Sequence, residues 1–284
     1  MKKIFSNTEG GKFPPLFLSQ IIRNENKDKL VCEVGASAGS DNIIMIDFKK
    51  YPHLLLAGAT GSGKSTLLKT LICSLILHNY SSINFILIDL KRVELSIFKN
   101  LPNVLNFASS FSSAVNVLNY ALNEIKRRFE VLERLGLNSN EDKKGVFNHL
   151  FIIIDEFAEL ILTDKKIEKV VSRISQLGRA AGVHLIICTQ LPTAQVVKNL
   201  INVNMATKIS LKVETHQNSR AVIGQRGAEL LEPCGDALIK QGMNLKRFCV
   251  AITPKKDVFN IVKFFESSEE NKKTLWQKLK AWFN

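Results

Sequence analysis

The run Gly58-Ala59-Thr60-Gly61-Ser62-Gly63-Lys64-Ser65, followed by Thr66, has the spacing G-x-x-x-x-G-K-[ST]. Its chemistry is the holding of a nucleotide's phosphates. The glycines let the backbone curl so that its N–H groups point inward at phosphate oxygens. Lys64 brings a positive charge to the terminal phosphates, and the Ser65 hydroxyl is a hard oxygen ligand suited to Mg²⁺. An apolar strand leads into the loop and a helical pattern leads out, so the positive end of a helix dipole adds to the site. ATP and Mg²⁺ are therefore the expected cofactors. The competing reading is a glycine-rich turn that binds nothing, and motif and context together weigh against it.

A second constellation complements the first. Phe151-Ile152-Ile153-Ile154-Asp155-Glu156 is an apolar run ending in two acids. A strand of this kind delivers both carboxylates to the sheet edge where a phosphate loop lies. Asp155 is the candidate Mg²⁺ holder beside Ser65, through water. Glu156 is the candidate that orients and deprotonates the attacking water. The alternative is that the two acids only cap the next helix. Leu185–Gln190 (LIICTQ) is another apolar strand ending in polar groups, expected between the loop strand and the acidic strand. Gln190 then reaches the γ-phosphate or the water; the alternative is a turn-forming Thr-Gln before Pro192. Asp89 and Lys91 end a further strand at the same edge, as site residues or as a structural ion pair.

Positioning these groups requires alternating strands and helices. Apolar runs at 54–57, 83–88, 150–154, 185–188 and 209–213 read as parallel strands covered on both faces. Helical spacing follows the phosphate loop and recurs at 113–135 and 167–181. The pattern predicts a doubly wound α/β sheet. Residues 30–34 and 43–47 read as a small hairpin ahead of it, and 237–240 with 247–252 as a final hairpin turning at Gly242. A short helix is expected near 16–22 and an amphipathic one at 272–284. The expected organisation is an arm at 1–29, a hairpin subdomain at 30–50, the main domain at 51–254 and a helical tail at 255–284.

The chain has 284 residues, of which 45% are apolar, enough for one large filled core. No apolar run reaches the roughly 18–20 residues needed to span a bilayer, and the N-terminus lacks a signal-peptide core. A cytoplasmic protein is expected, reaching a membrane only through a partner. The net charge is +13, from 39 Lys+Arg against 26 Asp+Glu. A surplus of this size points to nucleic acid or an anionic surface, or else simply to a lysine-rich soluble face. Five scattered cysteines without a C-x-x-C pair argue against a zinc site or a disulfide framework.

Six blocks, in order, resemble the motor domain of the FtsK/SpoIIIE DNA translocases: residues 53–66 (HLLLAGATGSGKST), 86–96 (ILIDLKRVELS), 124–129 (EIKRRF), 152–160 (IIIDEFAEL), 179–190 (RAAGVHLIICTQ) and 218–220 (NSR). The likeness covers roughly residues 30–240. It implies a RecA-like P-loop ATPase domain with a mainly parallel central sheet, forming a homo-hexameric ring around double-stranded DNA. It further implies an arginine supplied by a neighbouring subunit. Such a finger is worth about 10³–10⁵ in rate in well-studied cases, and Arg179 and Arg220 are the two candidates, each with a structural ion pair as its alternative. Two departures stand out. The family's Thr-Gln-Arg-Pro reads Thr189-Gln190-Leu191-Pro192 here, and its Asp-Pro-Lys reads Asp89-Leu90-Lys91. Neither the family's winged-helix module nor its membrane-spanning region is expected in this chain. A motor serving plasmid, conjugative-element or phage DNA is therefore expected, with a relaxase, replication or membrane-channel partner. Lys165, Lys166, Lys169 and Lys198 are candidate phosphate contacts or ordinary solvated lysines. The alternatives are a protein-secretion motor of the same superfamily and an ATP-dependent assembly switch, against which the retained Glu156 speaks.

Overall fold

The computed structural model describes residues 15–23, 29–38, 40, 42–143, 145–193, 196 and 204–267. The expected helix at 272–284, Lys198 and most of the 1–29 arm lie outside them.

Among the described residues, ten strands form a single sheet. They are β1 (Val31–Ser37), β2 (Ile43–Asp47), β3 (Leu54–Ala57), β4 (Ile83–Asp89), β5 (Val104–Ala108), β6 (His149–Asp155), β7 (Val183–Thr189), β8 (Thr207–Leu211), β9 (Asp236–Gln241) and β10 (Asn244–Val250). Their order is β2-β1-β10-β9-β8-β3-β7-β6-β4-β5. From β8 to β5 the neighbours run parallel, while β9, β10, β1 and β2 continue antiparallel. The N-terminal hairpin thus extends the sheet through β1 against β10, and β7 lies between β3 and β6 as expected. Strand β5 is absent from the sequence reading. Only Ala108 of it is fully buried, so an edge strand with Asn106 at its centre carries neither a continuous apolar run nor a clean alternation.

Side-chain alternation in the strands fills a core on each face. Leu54, Leu56, Phe151, Ile153, Ile186 and Cys188 face one core with helix α2 (Lys64–Asn79). Leu55, Ala57, Ile152, Ile154, Leu185 and Ile187 face the other. The second core takes the apolar stripe Ala114, Val117, Leu118, Ala121 and Ile125 of α3 (Phe111–Arg134), spaced i, i+3, i+4, i+7, i+11. It also takes α4 (Phe157–Thr163), α5 (Lys166–Ala181) and α6 (His216–Ile223). Helix α7 (Lys255–Glu266) packs with α2 on the first face. The four-residue helix α1 (Leu18–Ile21) falls inside the stretch expected to be helical. Among the described residues no helix is long and apolar enough to cross a membrane.

The block 124–129 explains itself in this frame. Glu124 accepts from Arg127 and from Arg128 Nε, and buried Arg128 donates Nη1 to the Ala181 carbonyl at 2.9 Å. An arginine on α3 thereby satisfies an orphan carbonyl at the C-terminus of α5 and fixes the turn into β7. Helix α5 crosses the sheet closely. A side chain at Gly178 would meet the Val183 carbonyl at 2.5 Å and the His53 ring at 3.1 Å.

Buried His53 has both nitrogens committed. Its Nδ1 accepts the Leu185 N–H at 3.0 Å, so Nε2 carries the proton and donates to the Ser175 carbonyl at 2.9 Å. Burial pulls its pKa down to about 4, against which the Ser175 bond works only partly. His184 is also pulled down by burial and by the nearby His149 and His53. The unfolded chain therefore binds protons below about pH 6.5 that the folded chain refuses. Stability should be full above that pH and should decline as the pH falls toward 4, with His53 alone costing about 2 kcal/mol by pH 5. Thermal melts at pH 7.5 and pH 5 test this, and identical melting temperatures would contradict it.

Candidate functional site

The C-terminal ends of the parallel strands converge on the phosphate loop. The loop leaves β3 and enters α2 through Gly63, whose φ of 104° lies in the left-handed region. A side chain there would also stand 3.0 Å from the Gly235 backbone nitrogen. Both constraints demand glycine. Ala59 N–H donates to the Lys212 carbonyl beyond β8 and Gly58 N–H to the Thr189 carbonyl of β7. Flanking strands thus hold both sides of the loop.

Lys64 and Asp155 meet directly. Lys64 Nζ lies 2.7 Å from Asp155 Oδ1, with the two side chains only 3% and 5% exposed. Burial disfavours the ammonium, yet its pKa stands above the ordinary lysine value. The surrounding negative groups outweigh burial: Cys188 once its thiol ionises, then Asp155, then Glu156. Cys188 itself is pushed up far beyond neutral pH by burial, so below that range the carboxylates carry the effect.

Glu156 adopts φ 59°, ψ 66°, a left-handed conformation unusual for a non-glycine residue. Its side chain makes no capping bond to α4. The carboxylate turns instead toward β7, where it accepts from Thr189 Oγ1 at 3.0 Å and from the Gln190 N–H at 3.1 Å. The helix-capping alternative therefore has no geometric support. Gln190 bridges onward, since its Oε1 accepts from Thr60 Oγ1 of the phosphate loop at 3.0 Å. Gln190 thus links the acidic strand, through its backbone N–H, to the loop, through its side chain.

Glu94 is a site residue that the sequence reading did not single out. It accepts the Ser65 hydroxyl at 2.6 Å and pairs with Lys69 of α2 at 2.7 Å. Burial raises its pKa, but the bonds from Lys69 and Ser65 more than offset this and hold Glu94 below its ordinary value. Asp89 supports the loop that carries it. Asp89 Oδ2 accepts from the backbone N–H groups of Glu94 and Leu95 at 3.0 and 2.9 Å. Asp89 is accordingly a loop organiser. The signal for Glu94 lay in its place within the block 86–96, but no spacing rule ties it to Ser65.

Two cavities adjoin the loop. The larger, about 440 Å³, runs from Thr60–Thr66 past Glu94 to Cys234, Gly235, Val250 and Ile252. The other, about 360 Å³, lies across Gln190 and is lined by Glu156, Glu159, Glu214, Lys91, Leu162 and Leu191. Ser65, Asp155 and Glu94 present hard oxygen donors of the kind Mg²⁺ takes. The exposed Arg179, at the C-terminal end of α5, and the exposed Arg220 on α6 line neither cavity. Lys165, Lys166 and Lys169 are exposed around the start of α5.

The sequence matches the FtsK/SpoIIIE family over residues 20–149 and 143–194. It is 35% identical over 238 residues to the DNA translocase FtsK of Caldanaerobacter subterraneus subsp. tengcongensis, covering 80% of this chain and 34% of that protein. The chain spans about a third of the length of such relatives. Among solved structures, the pCW3 conjugation coupling protein TcpA, in a monomer form with ATPγS, superposes with a TM-score of 0.76. It is 25% identical, over 89% of this chain and 75% of that one. The cytoplasmic domain of the Thermomonospora curvata type VII secretion ATPase EccC gives a TM-score of 0.73 at 25% identity, over 86% and 32%.

Proposed function

The chain belongs to the FtsK/SpoIIIE family, and we propose that it is an ATP-hydrolysing motor that moves double-stranded DNA. The observation carrying this reading is the meeting of Lys64, Ser65, Asp155 and Glu156 at one edge of a parallel sheet, joined by Gln190. The kinship to DNA translocases and the likeness to a conjugation coupling protein support DNA as the cargo. The +13 charge agrees with it.

In this reading Lys64 exchanges Asp155 for the β- and γ-phosphates when ATP enters. Ser65 and Asp155 would hold Mg²⁺, with Glu94 accepting the Ser65 O–H hydrogen bond and so leaving the hydroxyl oxygen available as a ligand. When bound, the ion neutralises charge on the phosphates. Glu156 takes a proton from the attacking water, and Gln190, tied to both Glu156 and Thr60, senses loss of the γ-phosphate. Arg179 or Arg220 of a neighbouring copy completes the site in a hexameric ring, entering the acidic cavity around Glu156, Glu159 and Glu214. Cargo on a plasmid, conjugative element or phage, and a cytoplasmic location with a membrane-bound recruiting partner, extend the same proposal. A second reading, a motor that moves protein, draws on the likeness to EccC.

The deciding measurement is steady-state ATP turnover with and without double-stranded DNA across a salt series. Stimulation by DNA that fades steeply with salt is expected, because phosphate contacts release counterions. Turnover indifferent to DNA would transfer the case to the protein-moving motor.

A further inference from the structure

The wall of the 440 Å³ cavity that flanks the phosphate loop has an unusual chemical character. Its wall is Cys234, Gly235, Val250 and Ile252. None of these side chains carries an amide, a hydroxyl or a charge, and the Cys234 thiol points back to the Gly61 carbonyl at 3.9 Å. The backbone there is largely committed as well. Gly235 N–H donates to the Ser62 carbonyl at 3.0 Å, and the Gly235 carbonyl accepts from Val250 N–H at 2.8 Å. Ile252 N–H donates to Leu16 at 2.6 Å, and the Ile252 carbonyl accepts from Leu18 at 3.0 Å. The wall is also rigidly set. Asp236 forks to Arg247 across β9 and β10 at 2.9 and 2.6 Å and accepts the Glu232 N–H at 3.0 Å, closing the turn that carries Cys234.

In the nucleotide-site reading, a nucleotide whose phosphates sit at Gly58–Ser65 would lay its base against this wall, the apolar part of the cavity lining. Adenine and guanine differ at positions 1, 2 and 6, where adenine has a bare nitrogen, a hydrogen and an amino group and guanine an N–H, an amino and an oxo group. Distinguishing them requires an uncommitted donor or acceptor at those positions. Sites built to hydrogen-bond a substrate group reject its analogue by about 10⁴–10⁵, whereas apolar walls discriminate only weakly. Resting on the nucleotide-site reading above, we infer that this site recognises its substrate by the triphosphate and treats the base as a flat apolar plate, so that it accepts purine nucleoside triphosphates generally.

The protein carries its own reporter. Of its five cysteines, Cys32, Cys73, Cys188 and Cys249 are buried and Cys234 alone is exposed, at the base end of the cavity. The experiment measures ATP, GTP and inorganic tripolyphosphate affinities by titration calorimetry with Mg²⁺. It also follows iodoacetamide labelling of Cys234 by mass spectrometry at saturation with each. ATP and GTP should bind within about tenfold of each other and should slow Cys234 labelling equally. Tripolyphosphate, lacking a base, should bind and slow Cys234 labelling less than either nucleotide does. ATP bound more than tenfold tighter than GTP would overturn the inference, as would tight ATP binding that leaves Cys234 unprotected. Failure of all three ligands to bind would remove the nucleotide site itself.

Discussion

Glu156→Gln is expected to lower DNA-stimulated ATP turnover by about 10²–10⁴-fold, the usual worth of a positioned general base, while ATP affinity stays within a few-fold. The substitution is nearly isosteric. A glutamine carbonyl at this position can still accept from Thr189 Oγ1 and the Gln190 N–H, which hold the carboxylate now. The left-handed backbone at φ 59° is unchanged by the swap, so the fold and the link from Gln190 to Thr60 survive. What disappears is the capacity to take a proton from water. Steady-state turnover, beside a melting curve showing an intact fold, separates these effects. Turnover above a tenth of the parent's would remove Glu156 from the role of base.

Much of this site was legible because its chemistry is local. Eight consecutive residues define the phosphate loop, and a strand that ends in two acids states where they go. The sheet's parallel centre was equally plain in the runs 54–57, 83–88 and 150–154. Legibility failed where partners are distant in the chain. Glu94 meets Ser65 across 29 residues, and nothing in either stretch announces the other. The base wall joins Cys234 and Gly235, in the turn before β9, to Val250 and Ile252 at the end of β10. Its apolar residues read simply as a final hairpin. Arg128 looked like one charge in a run of three, yet it is buried against the end of α5. Strand β5 was hidden by half-exposure at the edge. The hairpin at 30–50 was read correctly as two strands, but its registration against β10 follows from twist and burial across more than 200 residues of separation.

The buried Lys64–Asp155 pair yields the second large effect, and it bears on how a buried lysine is kept charged. A phosphate loop must carry an uncompensated cation into the interior, which is costly without a partner. Asp155 fills that role at 2.7 Å, behind walls that leave each side chain almost no solvent. Removing one member of a buried pair strands the other, at about 3–5 kcal/mol. Asp155→Ala should therefore lower the melting temperature of the empty protein by about 6–20 °C. Saturating ATP should return part of that loss, because its phosphates supply the missing negative charge and bind only the folded state, while the lost Mg²⁺ holder lowers the affinity. Removing both charges, as Lys64→Met with Asp155→Leu, should cost far less than Asp155→Ala alone, since apolar replacements of a buried pair are often neutral. Together the three melts separate a charge held in reserve from a merely structural contact. A single variant that melts within 2 °C of the parent without nucleotide would mean that the pair opens to solvent, and that Lys64 waits for phosphate unpaired.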